Sequence, residues 1–86
     1  MYVIAYDISD DKERNLVAKK IEDYGERIQK SVWICDISSS KLNILRKKLY
    51  DANITTGYIH IWLTQNEPYL IDQEKLAPTK NFAHFL

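Results

Sequence analysis

Asp7 is the side chain in this sequence best placed to do chemistry. It closes the run Tyr2-Val3-Ile4-Ala5-Tyr6-Asp7, whose earlier positions are all apolar or aromatic. Such a run reads as a central strand covered on two faces. A carboxylate at its end, just before a turn, emerges from a rigid support. The chemistry on offer is ligation of a hard cation such as Mg²⁺, which takes oxygen ligands, keeps several waters and needs few protein carboxylates. One carboxylate is a poor site. Two copies of Asp7 facing each other across a two-fold axis would make a plausible one. The alternative is structural, with Asp7 capping the turn or pairing with a local arginine.

Other candidates are weaker. Ser9, Asp10 and Asp11 could add ligands, but helix capping accounts for them. His60 and His84 are the only histidines, and neither has a metal-ligand spacing. Lys12, Arg14, Lys19, Lys20, Arg27, Lys30, Arg46, Lys47 and Lys48 all precede residue 49. Converging on one surface they would hold phosphates, and dispersed they are solvated helix faces. Trp33, Trp62 and the six tyrosines could stack on bases or fill a core and an interface.

The elements that must position these groups follow from periodicity. Asp10 followed by Glu13 has the spacing of a capping box. Val17, Ile21 and Tyr24 then share a helical face, and Gly25 is the expected helix stop. In the stretch from Arg27 to Ile37, Ile28, Val32 and Ile34 alternate with Ser31, Trp33, Cys35 and Ile37. That is either one long strand or two short ones broken at Gln29-Lys30-Ser31. Ser38-Ser39-Ser40 offers N-caps for a second helix with the seam Leu42, Leu45, Leu49. Asn53 to Gly57 is turn-like. Ile59, Ile61 and Leu63 then alternate with Tyr58, His60 and Trp62 in a last core strand. Pro68 to Asp72 reads as an extra strand at a sheet edge, and the apolar stretch from Asn81 to Leu86 as a docking tail.

The expected fold is an α+β sandwich of ferredoxin-like type, βαββαβ plus an extra C-terminal strand, with helices on one face of the sheet. Residues 1–63 form the core and 64–86 an extension. Bulky residues on both sheet faces imply that the helix-free face is covered, most simply by a second copy of the chain.

Composition sets outer limits. The 86 residues support one domain, with a core small enough to benefit from a partner subunit. Twelve basic and twelve acidic residues leave a formal net charge of zero, which argues neither for nor against nucleic acid. Cys35 is the only cysteine, so neither an intrachain disulfide nor a cysteine-rich zinc site can form. A cytoplasmic, soluble protein without a membrane span is expected.

Two segments together resemble a known family. Tyr6-Asp7-Ile8-Ser9-Asp10-Asp11-Lys12-x-Arg14 resembles the opening of the small CRISPR-associated protein two (Cas-two) family. Gly25-Glu26-Arg27-Ile28-Gln29-Lys30-Ser31-Val32-Trp33 is similar to that family's second motif, with Trp33 in place of a more usual Phe. The resemblance covers about residues 1–63. It implies a ferredoxin-like homodimer whose C-terminal strands can reach onto the partner. It also implies a Mg²⁺- or Mn²⁺-dependent endonuclease acting on RNA or DNA, and a role in spacer acquisition in which the dimer bridges integrase (Cas-one) subunits and contacts duplex DNA. Asp7 matches the metal-binding, catalytic aspartate. Arg14, Arg27 and Lys30 are then candidate nucleic-acid contacts, and Tyr6, Ser31 and Trp33 support the site. His60 stands in a strand that often carries an arginine in the family. The rival implied by the same resemblance is a non-catalytic, DNA-binding adaptor. Ferredoxin-like folds also include toxin ribonucleases and ligand-binding regulatory modules.

Overall fold

The computed structural model describes residues 1–65 and the short strands 71–72 and 77–78. The chain order is β1 (Tyr2–Ile8), α1 (Asp11–Ile21), β2 (Glu26–Gln29), β3 (Val32–Cys35), α2 (Ser39–Asp51), β4 (Gly57–Leu63), β5 (Ile71–Asp72) and β6 (Ala77–Pro78). The first four strands form one sheet in the order β2-β3-β1-β4. Each of its neighbouring pairs is antiparallel. This is the expected ferredoxin-like α+β arrangement.

The strand alternation sorts the two faces. On β1, Ile4, Tyr6 and Ile8 are buried. They join Val17, Ala18 and Ile21 of α1, Leu45 and Leu49 of α2, and Trp33 and Cys35 of β3 in one core. Successive strand residues point to opposite faces, so Val3, Ala5 and Asp7 lie on the face without helices. Register carries that assignment to the neighbours. Val3 is opposite Ile34 and Trp62, Ala5 is opposite Val32 and His60, and Asp7 is opposite Tyr58. This second face is open in the single chain, where Trp62 is 50% and Tyr58 56% exposed.

Local chemistry explains most element ends. Asp10 caps α1, its side chain accepting from the Glu13 N–H at 2.9 Å. Ser38 caps α2, accepting from the Lys41 N–H at 3.2 Å. Asn53 turns the chain out of α2 with a left-handed φ of 53°, a conformation asparagine tolerates well. The stretch after α1 is a hairpin of two short strands. It carries a bulge between Arg27 and Gln29 that shifts the register.

Two expectations are corrected. Gly25 does not stop α1. The helix ends at Ile21 with Glu22 as its cap, and no glycine has a positive φ. Gly25 serves close approach instead, since a Cβ there would strike the Ile34 carbonyl oxygen and the Cys35 Sγ. The capping box is only half formed, because the Glu13 carboxylate turns away from the Asp10 N–H to bond Thr55 and Thr56. Of the expected extra strand, Ile71 and Asp72 are described, and they pair antiparallel with β6 in a two-stranded ladder of their own. Pro68 to Leu70 and Asn81 to Leu86 lie outside the described residues. Among the described residues no helix is long and apolar enough to cross a membrane.

Candidate functional site

The end of β1 is held on every side that the fold offers. Toward β3, the Tyr6 N–H donates to the Ser31 carbonyl at 3.1 Å, which brings the Lys30-Ser31 turn alongside the strand end carrying Asp7. Beneath it, the Trp33 Nε1–H donates to the Tyr6 hydroxyl at 3.1 Å in the buried core. This bond satisfies two polar groups that would otherwise be costly to bury. Tyr6, Ser31 and Trp33 therefore brace the strand from which Asp7 projects.

Arg14 returns from α1 to the β1–α1 loop. Its Nη1 donates to the Ile8 carbonyl at 2.8 Å and the Ser9 carbonyl at 3.3 Å, and its Nη2 donates to the Asp11 carboxylate. Arg27 faces the other way. It is opposite Trp33 in register, and its guanidinium carbon sits 4.8 Å from the centroid of the Trp33 ring. Since Trp33 points into the helix-covered core, Arg27 and Asp7 lie on opposite faces of the sheet. Lys30 is exposed in the turn next to β1. Of the three cations singled out from the sequence, Arg14 and Lys30 are brought to the Asp7 end of β1 and Arg27 is not.

Asp7 is exposed, and among the described residues no hydrogen-bond or ion-pair partner meets its carboxylate. The structural alternatives, a turn cap or an arginine pair, are thus not what the carboxylate does. Arg14, the nearest candidate partner in sequence, is engaged by Asp11. Among the described residues no group of three or more His, Cys, Asp or Glu side chains is placed to share a metal ion. One chain consequently offers one hard oxygen ligand on a rigid strand end. That fits Mg²⁺ or Mn²⁺ as half of a site, because such ions retain waters and use one or two carboxylates.

Beside Asp7, the helix-free face carries an aromatic ladder along β4. The Tyr58 and His60 rings are 4.9 Å apart, and His60 and Trp62 meet edge-on at 5.5 Å. Behind β4, a groove runs between Arg46, Lys47 and Tyr50 of α2 and Ile59 and Ile61 of the strand.

A role that sequence reading missed belongs to Glu13, which binds the two residues leading into β4. Glu13 accepts from the backbone N–H groups of Thr55 and Thr56 at 2.9 and 3.0 Å and from their hydroxyls at 2.9 and 2.6 Å. The Thr56 side chain, followed by the Thr55 backbone, pulls the Glu13 carboxyl down from its ordinary 4.5 to about 2. A carboxylate with a lowered folded-state pKa adds stability that is complete above its unfolded pKa. That contribution fades as pH falls toward the folded value. The urea midpoint of the wild type should therefore exceed that of Glu13→Gln at neutral pH, with the gap closing between about pH 5 and pH 2. A gap that stays constant over that range would show that the charge on Glu13 contributes nothing.

The fold and site define a ferredoxin-like protein with an aspartate, unpartnered among the described residues, at the end of its first strand and exposed aromatic side chains beside it. The family model for CRISPR associated protein Cas2 matches residues 1–67, and the chain belongs to that family. A CRISPR-associated endoribonuclease Cas2 of Synechocystis sp. is 53% identical over 49 residues, covering 57% of this chain and 53% of that relative. The chain spans about half the length of the curated relatives it matches. Among solved structures, a hypothetical protein of Thermus thermophilus superposes with a TM-score of 0.70 at 32% identity, covering 76% of this chain and 80% of that one. Cas2 of Streptococcus pyogenes superposes with a TM-score of 0.68 at 23% identity over 99% of this chain and 93% of that one, which shows the shared fold.

Proposed function

We propose that the chain acts as a homodimeric, metal-dependent endonuclease on RNA in CRISPR immunity, with Mg²⁺ or Mn²⁺ held between the Asp7 carboxylates of two copies. The observation that carries this reading is the exposed Asp7 carboxylate, unpartnered among the described residues, at the rim of a sheet face with exposed Tyr58 and Trp62. A second copy laid on that face would bury Trp62, Tyr58, Val3 and Val32 and bring the two acids together. The relatives' designation as endoribonucleases supports RNA as substrate.

In this reading Asp7 supplies the anionic oxygen of the site, and its partner copy supplies the second. When bound there, a divalent ion provides Lewis acidity toward a phosphoryl oxygen and makes a water more acidic. Lys30, exposed in the turn beside that strand end, would receive a non-bridging phosphate oxygen. Arg14 holds the loop carbonyls of Ile8 and Ser9, so its contribution is to fix the loop and leave a cationic rim. Arg27 meets nucleic acid only where the strand wraps the β2 edge.

A second reading is favoured by one observation, the separation of Arg27 from Asp7 on opposite sheet faces. Phosphates spread over such a surface suit a duplex-binding adaptor that bridges integrase (Cas-one) subunits, with residues 64–86 as the docking element. Removing the metal separates the two readings. The purified protein should cut single-stranded RNA with Mn²⁺, stop with excess EDTA and resume when Mn²⁺ is restored. Cleavage at an equal rate in EDTA would exclude the metal site, and metal-independent duplex binding without cleavage would favour the adaptor.

A further inference from the structure

We propose that Glu13 is a positioning residue for Asp7, acting through Thr55, Thr56 and Gly57 on the backbone that carries the carboxylate. The inference rests on the reading of Asp7 as a cation ligand.

Capping of α1 needs only the Asp10 side chain on the Glu13 N–H. An acid in the first turn would serve the helix equally well with its carboxylate in water. Instead both Glu13 oxygens are occupied by the two residues that precede β4, each oxygen taking one backbone N–H and one hydroxyl. Thr56 then reaches the β1–α1 loop, its hydroxyl accepting from the Asp10 N–H at 3.0 Å and its carbonyl from the Ser9 N–H at 3.1 Å. The next residue, Gly57, approaches so closely that a Cβ would collide with the Asp7 carbonyl oxygen and the Ile8 Cα. Tyr58 follows as the register partner of Asp7. Glu13 is thus joined to the Asp7 peptide by an unbroken line of contacts. Loosening the Thr55-Thr56 segment frees the strand end to shift, and two carboxylates sharing an ion do not tolerate such shifts. Groups that orient metal ligands typically change affinity by about 10- to 100-fold when removed.

The test measures Mn²⁺ affinity, by electron paramagnetic resonance of the free ion, for the full chain and its Glu13→Ala, Glu13→Gln and Asp7→Ala variants. It is run where urea curves show each protein fully folded. Asp7→Ala should lose saturable binding. Glu13→Ala should keep the ion but bind it about 10-fold more weakly, at the lower end of that range because it acts through the backbone. Glu13→Gln, which retains the shape and one acceptor, should fall between. A merely structural Glu13 would lower the urea midpoint and leave the affinity of the folded protein unchanged. Wild-type affinity in Glu13→Ala with binding lost in Asp7→Ala overturns the positioning role alone. Saturable binding retained in Asp7→Ala, or absent from the wild type, overturns the metal reading and this inference with it. Should Glu13→Ala not fold, Glu13→Gln is judged by the same criterion.

Discussion

Replacing Asp7 with alanine should lower the proposed divalent-dependent RNA cleavage by at least about 100-fold and leave the chain folded and able to pair. The size of the effect follows from the inventory of the site. Among the described residues, Asp7 is the exposed carboxylate of β1 itself, and no group of three or more His, Cys, Asp or Glu side chains stands ready to replace it as a metal site. The intact fold follows from its surroundings. Asp7 is exposed and makes no side-chain bond among the described residues, so truncation leaves no cavity and no orphaned partner. Without metal the variant dimer should even be tighter than wild type, because two facing carboxylates repel. Single-turnover cleavage of a labelled RNA in Mn²⁺, beside urea denaturation, reads both properties. Cleavage by the variant at the wild-type rate would point to another nuclease in the preparation and remove Asp7 from the mechanism.

Trp62→Glu should convert the proposed dimer to monomers. Trp62 is 50% exposed in the single chain, lies opposite Val3 in register and packs edge-on against His60. It makes no part of the helix-side core, so the chain should still fold. In the dimer, large aromatics near an interface centre contribute most of the binding energy. A carboxylate in that place would be desolvated without a partner, at a cost of about 3–5 kcal/mol. The dissociation constant should rise by at least about 100-fold, since each 1.4 kcal/mol is tenfold. Sedimentation equilibrium over a range of concentrations measures it. An unchanged dimer would place the interface on another surface and leave the two Asp7 groups apart.

The sequence revealed those parts of the fold whose signals repeat within a few residues. β1, the leucine seam of α2 and the alternation in β4 are periodic, and periodicity reports which face is buried. The β2–β3 hairpin stayed ambiguous because Gln29-Lys30-Ser31 lacks a strong turn residue, and its bulge is set by pairing across strands. Gly25 misled for a related reason. A glycine after an amphipathic helix usually marks the left-handed cap, whereas here its missing Cβ makes room for Ile34 and Cys35 from another strand. The exposure of Asp7 was legible from its place at a strand end. The Glu13 clamp was not, because its partners are 42 and 43 residues away and local capping rules look only three or four residues ahead. The separation of Arg27 from Asp7 was equally hidden, since it depends on which strands become neighbours.

Native mass spectrometry with graded Mn²⁺ counts chains and ions together, and so reads out whether two Asp7 carboxylates share one ion. A dimer should take up one Mn²⁺ per two chains, and an Asp7→Ala dimer should take up none. A monomer throughout the titration, or one ion bound to each chain independently of the other, would contradict the shared site.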